Sequence, residues 1–423
     1  MSSRFVVLGL ARPGAAWFVD IARWATAAVL PVEFTKCVSA DEARARIGSG
    51  RLWSALIVDG AALGVDRDLV AEAAEAGIPT IVVDADPPRR AWTELGVAAR
   101  IHPGFEPGAL LTTLGATATP IERVAPTASA PRPRSTSWQG RLVAVTGPGG
   151  AGVSTLAAAL AQGAARDVSA RGLVLLADLA LHADQAVLHH TGDVVPGLPE
   201  LVDAHRLGTP GAPDVRSLTF ALPDRHYDLL LGLRRHRDWT LLRRRSTEVA
   251  LAGLRGAYRV VIAQVDPDVE GVDTTGSHDV EDRNLLARTV VTAADAVVVV
   301  VRPDALGLHR GARCVDELIV HGVAAERLAV VVNRAPRSPS ARAEIRAVLA
   351  RLTSDRVAPP RFVAERRSIG GAVRIGSPLP AAIAQAMAEL VDEVTTRAPT
   401  VHPDAIPERI RPGTVGTFVE EAP

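Results

Sequence analysis

Short, continuously apolar runs alternate with stretches of helical spacing, and the alternation occurs twice along the chain. Within residues 1–117, RFVVLGL (4–10), VEFTKCV (32–38), SALIVDG (54–60), PTIVVDAD (79–86) and AARIHPG (98–104) read as strands. Between them WFVDIARWATAAV (17–29), the ADEARARI stretch capped by Ser39, DRDLVAEAAEAG (66–77) closed by Gly77, and PGALLTTLGAT (107–117) read as helices. Strands that are apolar throughout and separated by helices predict a parallel sheet covered on both faces.

Residues 118–138 (ATPIERVAPTASAPRPRSTSW) have the Pro, Ala, Ser and Thr content of an extended, semi-stiff linker. A second and larger α/β pattern follows over 139–397. Its strands are RLVAVTG, LVLLADL (173–179), YDLLLGL (227–233), YRVVIAQVD (258–266), DAVVVVVRP (295–303) and RLAVVVNR (327–334), with helical stretches such as 238–255 and 308–321 between them. This again predicts a parallel sheet. The Pro-rich tail, 398–423, reads as irregular. At 423 residues the chain is too long for one ordinary core, which agrees with two domains in series.

Composition narrows the function classes. Acids and bases balance at 47 each, so no global charge draws the chain to nucleic acid or anionic lipid. Two cysteines, Cys37 and Cys314, have no CxxC spacing, which fits a reducing cytoplasm and offers no disulfide framework or metal site. The apolar start at 4–10 is soon broken by Arg12 and reads as a strand, not a signal peptide. The longest apolar run, 296–301, is far short of a membrane span. Lys36 is the only lysine.

The chemistry concentrates in Gly147-Pro148-Gly149-Gly150-Ala151-Gly152-Val153-Ser154-Thr155, set between a strand and a helix. Glycines let successive backbone N–H groups turn inward as an anion nest, and the helix start adds partial positive charge. Ser154 stands where the Mg2+-binding hydroxyl of such a loop belongs. The segment resembles the P-loop of MinD/ParA-class ATPases, whose pattern KGGxGK[ST] carries two lysines. Here those positions hold Pro148 and Val153. Loss of one charge-assisted hydrogen bond costs about 1.5–3 kcal/mol, or about 10- to 100-fold in affinity. Loss of a transition-state cation costs on the order of 10³–10⁵ in rate. Pro148 also has no N–H to donate. Other matches follow in order. Asp178 matches the aspartate that opens the switch I region, with Asp184 nearby. Gln264 stands where the Walker B aspartate belongs. Asp266, two residues on, either reaches the metal or caps the turn. Asn333 matches the asparagine that reads the adenine edge, its amide able to donate and accept.

The strand order and the loop together resemble the CpaE/TadZ-like branch of that class, and in particular the actinobacterial septum-site-determining proteins. The resemblance implies an N-terminal receiver-like, flavodoxin-like domain and a P-loop NTPase-like domain, with ATP and Mg2+ as ligands held by residues 147–155, Asn333, Ser154 and Asp266, and Asp178 as catalytic residue. It implies a degenerate ATPase that positions septum or pilus/secretion machinery through protein partners, a face-to-face homodimer, and a cytoplasmic protein recruited to membrane, pole or septum. In the receiver-like half Asp59 falls at the phosphoacceptor position. The acidic pair is replaced by Gly9, Leu10 and Ala11, and the lysine by the stretch around His102, so a Mg2+ would lack ligands. Two alternatives stand beside this reading: a working ATPase switch using arginine for lysine, and a signalling protein controlled by phosphorylation of Asp59. An arginine cluster (Arg234, Arg235, Arg237, Arg243, Arg244, Arg245) reads as a solvated helix face, a surface for an acidic partner, anionic lipid or nucleic acid, or the replacement cation. His182, His189 and His190 read as loop or surface residues, having no partner acids at ligand spacing. The tail lacks the amphipathic membrane helix of MinD.

Overall fold

The computed structural model describes residues 4–121 and 139–397, apart from positions 13, 28, 50, 168, 169, 193, 194, 355 and 375. Most of the expected linker (122–138) and the whole expected irregular tail (398–423) lie outside the described residues.

The first unit runs β1 (Phe5–Leu10), α1 (Ala16–Thr26), β2 (Val32–Cys37), α2 (Ala40–Ile47), β3 (Ala55–Asp59), α3 (Arg67–Glu75), β4 (Thr80–Val83), β5 (Ala99–Ile101) and α4 (Pro107–Thr117). The strands pair in parallel in the order β2-β1-β3-β4-β5. Because side chains alternate along a strand, Leu8, Leu10, Leu56 and Val58 meet α2 and α3 on one face, while Phe5, Val7, Ala55 and Ile57 meet α1 and α4 on the other. As expected, Ser39 accepts the Glu42 N–H at the start of α2.

The second unit continues β6 (Arg141–Thr146), α5 (Val153–Ala164), β7 (Val174–Asp178), α6 (Gln185–His189), α7 (Leu198–Leu207), α8 (Ala212–Ser217), β8 (Phe220–Leu222), β9 (Tyr227–Leu230), α9 (Arg244–Ala257), β10 (Val260–Gln264) and α10 (Val272–Thr275). It ends with α11 (His278–Arg283), α12 (Leu285–Ala293), β11 (Ala296–Val301), α13 (Ala305–Val320), β12 (Leu328–Ala335), α14 (Pro339–Leu352), β13 (Arg361–Ala364), α15 (Arg367–Arg374) and α16 (Ala381–Arg397). The strand order is β13-β12-β11-β6-β10-β7-β9-β8. All pairings are parallel except β8 with β9. The sheet is therefore mixed at one edge, not wholly parallel. β8 and β13 were missed in the pattern because both are short and only partly covered. β6 is central: the chain leaves it toward β7 on one side, and β10 crosses back to β11 on the other. The loop after β6 thus opens at a topological switch point, where doubly wound sheets hold ligands.

The two units are fastened by adjacent residues of α3. Asp68, 3% exposed, accepts the N–H groups of Arg245 (3.0 Å) and Ser246 (3.2 Å) and the Ser246 hydroxyl. It thereby caps α9, which explains why the expected helix 238–255 is split, with Arg243 in extended conformation before the cap. Arg67, 7% exposed, donates to the carbonyls of His205 and Gly208 at 2.9 Å each and to the Thr209 hydroxyl at 3.0 Å, closing the far end of α7. An acid sits at one helix start and a base at another helix end, as the helix dipoles favour.

Candidate functional site

Residues 147–152 turn the chain from β6 into α5. Gly147 has φ 150°, and a Cβ there would lie 2.2 Å from the Val300 carbonyl oxygen of β11, so only glycine fits. Gly152 has φ 93°, and a Cβ would meet the Asn333 amide nitrogen at 2.4 Å. Gly149 and Gly150 face open space. Among the described residues, the N–H groups of Gly149, Gly150, Gly152, Val153, Ser154 and Thr155 meet no backbone acceptor outside their own helix, whereas Ala151 N–H closes the turn onto the Pro148 carbonyl at 3.1 Å. The loop draws no charge from its own side chains: Pro148 carries none, and Val153 packs against the core beneath α5.

Asn333, at the end of β12, is 8% exposed. Its Nδ2 donates to the Ala151 carbonyl at 2.8 Å and its Oδ1 accepts the Arg334 N–H at 2.9 Å. The amide pins the loop from one side, so both of its groups are already engaged.

On the other side β7 and β10 end in register, Asp178 opposite Gln264. Gln185, the first residue of α6, reaches back between them. Its Nε2 donates to the Ser154 carbonyl (3.0 Å) and to Gln264 Oε1 (2.5 Å), and Gln264 Nε2 donates to Ser154 Oγ (3.1 Å). A backbone carbonyl can only accept, so it fixes which end of the Gln185 amide faces it. That in turn fixes Gln264, whose N–H must then point at the Ser154 hydroxyl. Asp178 is fully buried; its Oδ2 accepts the Gln185 N–H at 2.8 Å, and Oδ1 has no partner among the described residues. Burial pushes its carboxyl up to about 7, against the pull of the backbone N–H groups.

A further layer supports Gln185. His189, one turn along α6, is 7% exposed and places Nδ1 2.8 Å from the Gln185 carbonyl, so Nδ1 carries the proton. Nε2 then accepts from the Tyr227 hydroxyl at 2.7 Å. Arg225 follows, donating to the carbonyls of Gly376 and Ser377 at 2.8 and 2.9 Å. Burial, helped by the Arg225 charge, holds His189 down to about 4. The expectation that His189 is a loop or surface residue is thus corrected: it lies on the same helix face as Gln185, four residues on, and is buried with it. His182 stacks on His236 with ring centroids 4.6 Å apart, and His190 takes the left-handed position that ends α6.

Asp266 lies beyond the end of β10, and its Oδ2 accepts the Leu181 N–H at 2.6 Å. That bond ties the end of β10 to the segment that follows β7. Of the arginine cluster, Arg234 pairs with Glu200, and Arg244 and Arg245 pair with Glu248. Among the described residues no arginine hydrogen-bonds or pairs with residues 147–155.

Mg2+ demands six oxygens in near-octahedral array, usually with carboxylates. Here the Ser154 hydroxyl faces an N–H donor, the neighbouring strand end carries an amide, and Asp178 is enclosed with a raised proton affinity. These residues do not fit Mg2+. Among the described residues, no cluster of His, Cys, Asp and Glu suits a metal and no helix is long and apolar enough to cross a membrane.

No protein-family model and no curated protein matches the sequence. Among solved structures, the chain is similar to a ParA family ATPase from Chlorobium tepidum, at 15% identity over 60% of this chain and 98% of that one, with a TM-score of 0.46. It is similar to the cell division ATPase MinD of Pyrococcus furiosus at 17% identity over 60% and 99%, TM-score 0.45. The septum site-determining protein MinD of Pyrococcus horikoshii, solved with Mg-ADP, gives 18% identity over 61% and 98%, TM-score 0.43.

Proposed function

We propose that this protein is a spatial regulator of the MinD/ParA class, in its CpaE-like branch, that positions septum or pilus/secretion machinery by binding protein partners. Residues 1–117 form a receiver-like domain, 118–138 a linker and 139–397 the P-loop domain, working as a homodimer in the cytoplasm and recruited by its partners. The loop 147–155 accepts the phosphates of a nucleotide, and hydrolysis is weak or absent.

One observation carries the reading of the site: the hydrogen-bond chain Ser154–Gln264–Gln185 puts neutral amides where a hydrolytic P-loop needs a cation and its carboxylate ligand. With no metal and no loop cation, charge developing on a departing phosphate meets only backbone N–H groups. Val187 and Leu306, 73% and 57% exposed, lie where α6 and α13 leave the carboxyl edge of the sheet, apolar surface suited to a partner or second copy. Phosphorylation of Asp59 is not favoured, because its Oδ2 pairs with Arg12 (3.2 Å) and its Oδ1 accepts the Ala61 N–H (2.9 Å).

The test is calorimetric titration of the full chain with ATP, with and without Mg2+, beside steady-state hydrolysis. The expected result is no turnover and an affinity indifferent to Mg2+. Turnover that disappears in Ser154→Ala would overturn the proposal in favour of a working switch.

A further inference from the structure

A cleft of about 830 Å3 lies where the first unit meets the second. Its volume is that of a small-molecule site, roughly 300–1,000 Å3, and junctions between units are preferred places for such sites. In the first sheet, connections leave β1 and β3 in opposite directions, so the crevice at their carboxyl ends is that sheet's own switch point. Arg12 follows β1 and Leu63 follows β3, and both line the cleft. The second unit forms the other wall through α7 and the segment before α9.

The lining has a definite chemistry once its pairs are assigned. Asp66 is held by Arg44, Arg206 and the Leu69 N–H. Asp203 pairs with Arg206, Asp41 with Arg44, and Glu200 caps α7 and pairs with Arg234. The acids of the wall are therefore engaged. Arg243 is exposed and forms no ion pair among the described residues, and Arg12 is 59% exposed beside its single pair to Asp59. The same lining carries uncovered apolar side chains: Leu63 is 92% exposed, Leu241 66% and Val38 64%.

We propose that this cleft binds a small organic anion, its phosphate- or carboxylate-type group met by Arg243 and Arg12 and its apolar body covering Leu63, Leu241 and Val38. The site is separate from the loop after β6 and does not depend on what that loop binds. A ligand held here touches both units at once.

The test uses 8-anilinonaphthalene-1-sulfonate, which joins one anionic group to an apolar body, titrated by fluorescence into the full chain. Saturable one-to-one binding is expected. Arg243→Ala and Leu63→Ser should each weaken it about tenfold, the scale of one charge-assisted contact or one covered side chain. Both residues are exposed, so the variants should fold, as circular dichroism will show. Arg237→Ala, which removes an arginine that does not line the cleft, should leave binding unchanged. The neutral N-phenyl-1-naphthylamine should bind at least tenfold more weakly. Equal binding of the neutral probe, equal weakening by Arg237→Ala, or indifference to Arg243→Ala and Leu63→Ser would overturn the proposal.

Discussion

Gln185 donates to Gln264 across 2.5 Å, joining the first residue of α6 to the last residue of β10 directly behind the glycine loop. A contact between two amides looks minor, yet its direction is set by the Ser154 carbonyl and it decides what the Ser154 hydroxyl can do.

Removing the Gln185 side chain leaves the Ser154 carbonyl and Gln264 Oε1 without their shared donor in a buried place. We expect Gln185→Ala to lose about 2–4 kcal/mol of stability in urea unfolding. A loss below about 0.5 kcal/mol would mean water satisfies the site and the amide chain is not a fixed feature.

Introducing a carboxylate should introduce an affinity for metal. In Gln264→Asp combined with Gln185→Ala, an acid faces the Ser154 hydroxyl and the intervening donor is gone. Millimolar Mg2+ should then raise the melting temperature by a few degrees, as expected for a ligand present above its Kd. The unaltered protein should not shift; a shift of equal size would show that the native site already accepts the ion.

Asp178 and His189 give the site a pH signature of two opposed signs. The carboxyl is raised from 3.8 to about 7 on folding, so its contribution favours the folded state below pH 4 and is lost as pH rises to about 7. The imidazole is lowered from 6.5 to about 4, so its contribution is complete above pH 6.5 and is lost as pH falls to about 4. The two nearly cancel between pH 4 and 6.5. Asp178→Asn removes one of them: its stability should gain on the parent by about 4 kcal/mol between pH 4 and 7.5. A constant difference across that range would rule out a buried carboxyl that holds its proton.

Gly152→Ala forces a Cβ toward Asn333 at a backbone angle that L-residues avoid. Loss of about 1–3 kcal/mol is expected, and Asn333→Ala should relieve the clash part of it in a double-mutant cycle. Additive effects would mean Asn333 does not hold the loop.

Arg67→Ala and Asp68→Ala each strip a buried charge from a helix end. Each should cost about 2–4 kcal/mol, and the double variant should split a single calorimetric unfolding peak into two. One peak in the double variant would show that other contacts suffice to couple the units.

The sheet order was legible where strands are buried on both faces. β6, β7, β10, β11 and β12 are continuous apolar runs, and the glycine loop marks its own turn. β8 and β13 were not, being edge strands of three and four residues with polar or half-covered positions. The lack of a cation in the glycine loop was plain from Pro148 and Val153. Gln185 was not, because nothing in LHADQAVLHH marks a glutamine as buried until α6 is folded over β7. The one available sign was its spacing of four from His189, which places both on one helix face. Asp266 lies two residues outside the strand expected to carry it, since β10 stops at Gln264.

The pair on α3 has a consequence for how the chain could be taken apart. Because Arg67 and Asp68 seat themselves in the ends of α7 and α9, the two units are expected to recognise one another without a peptide bond between them. The halves, made as separate polypeptides, should recognise one another as a heterodimer, and each would behave as the other's most specific ligand.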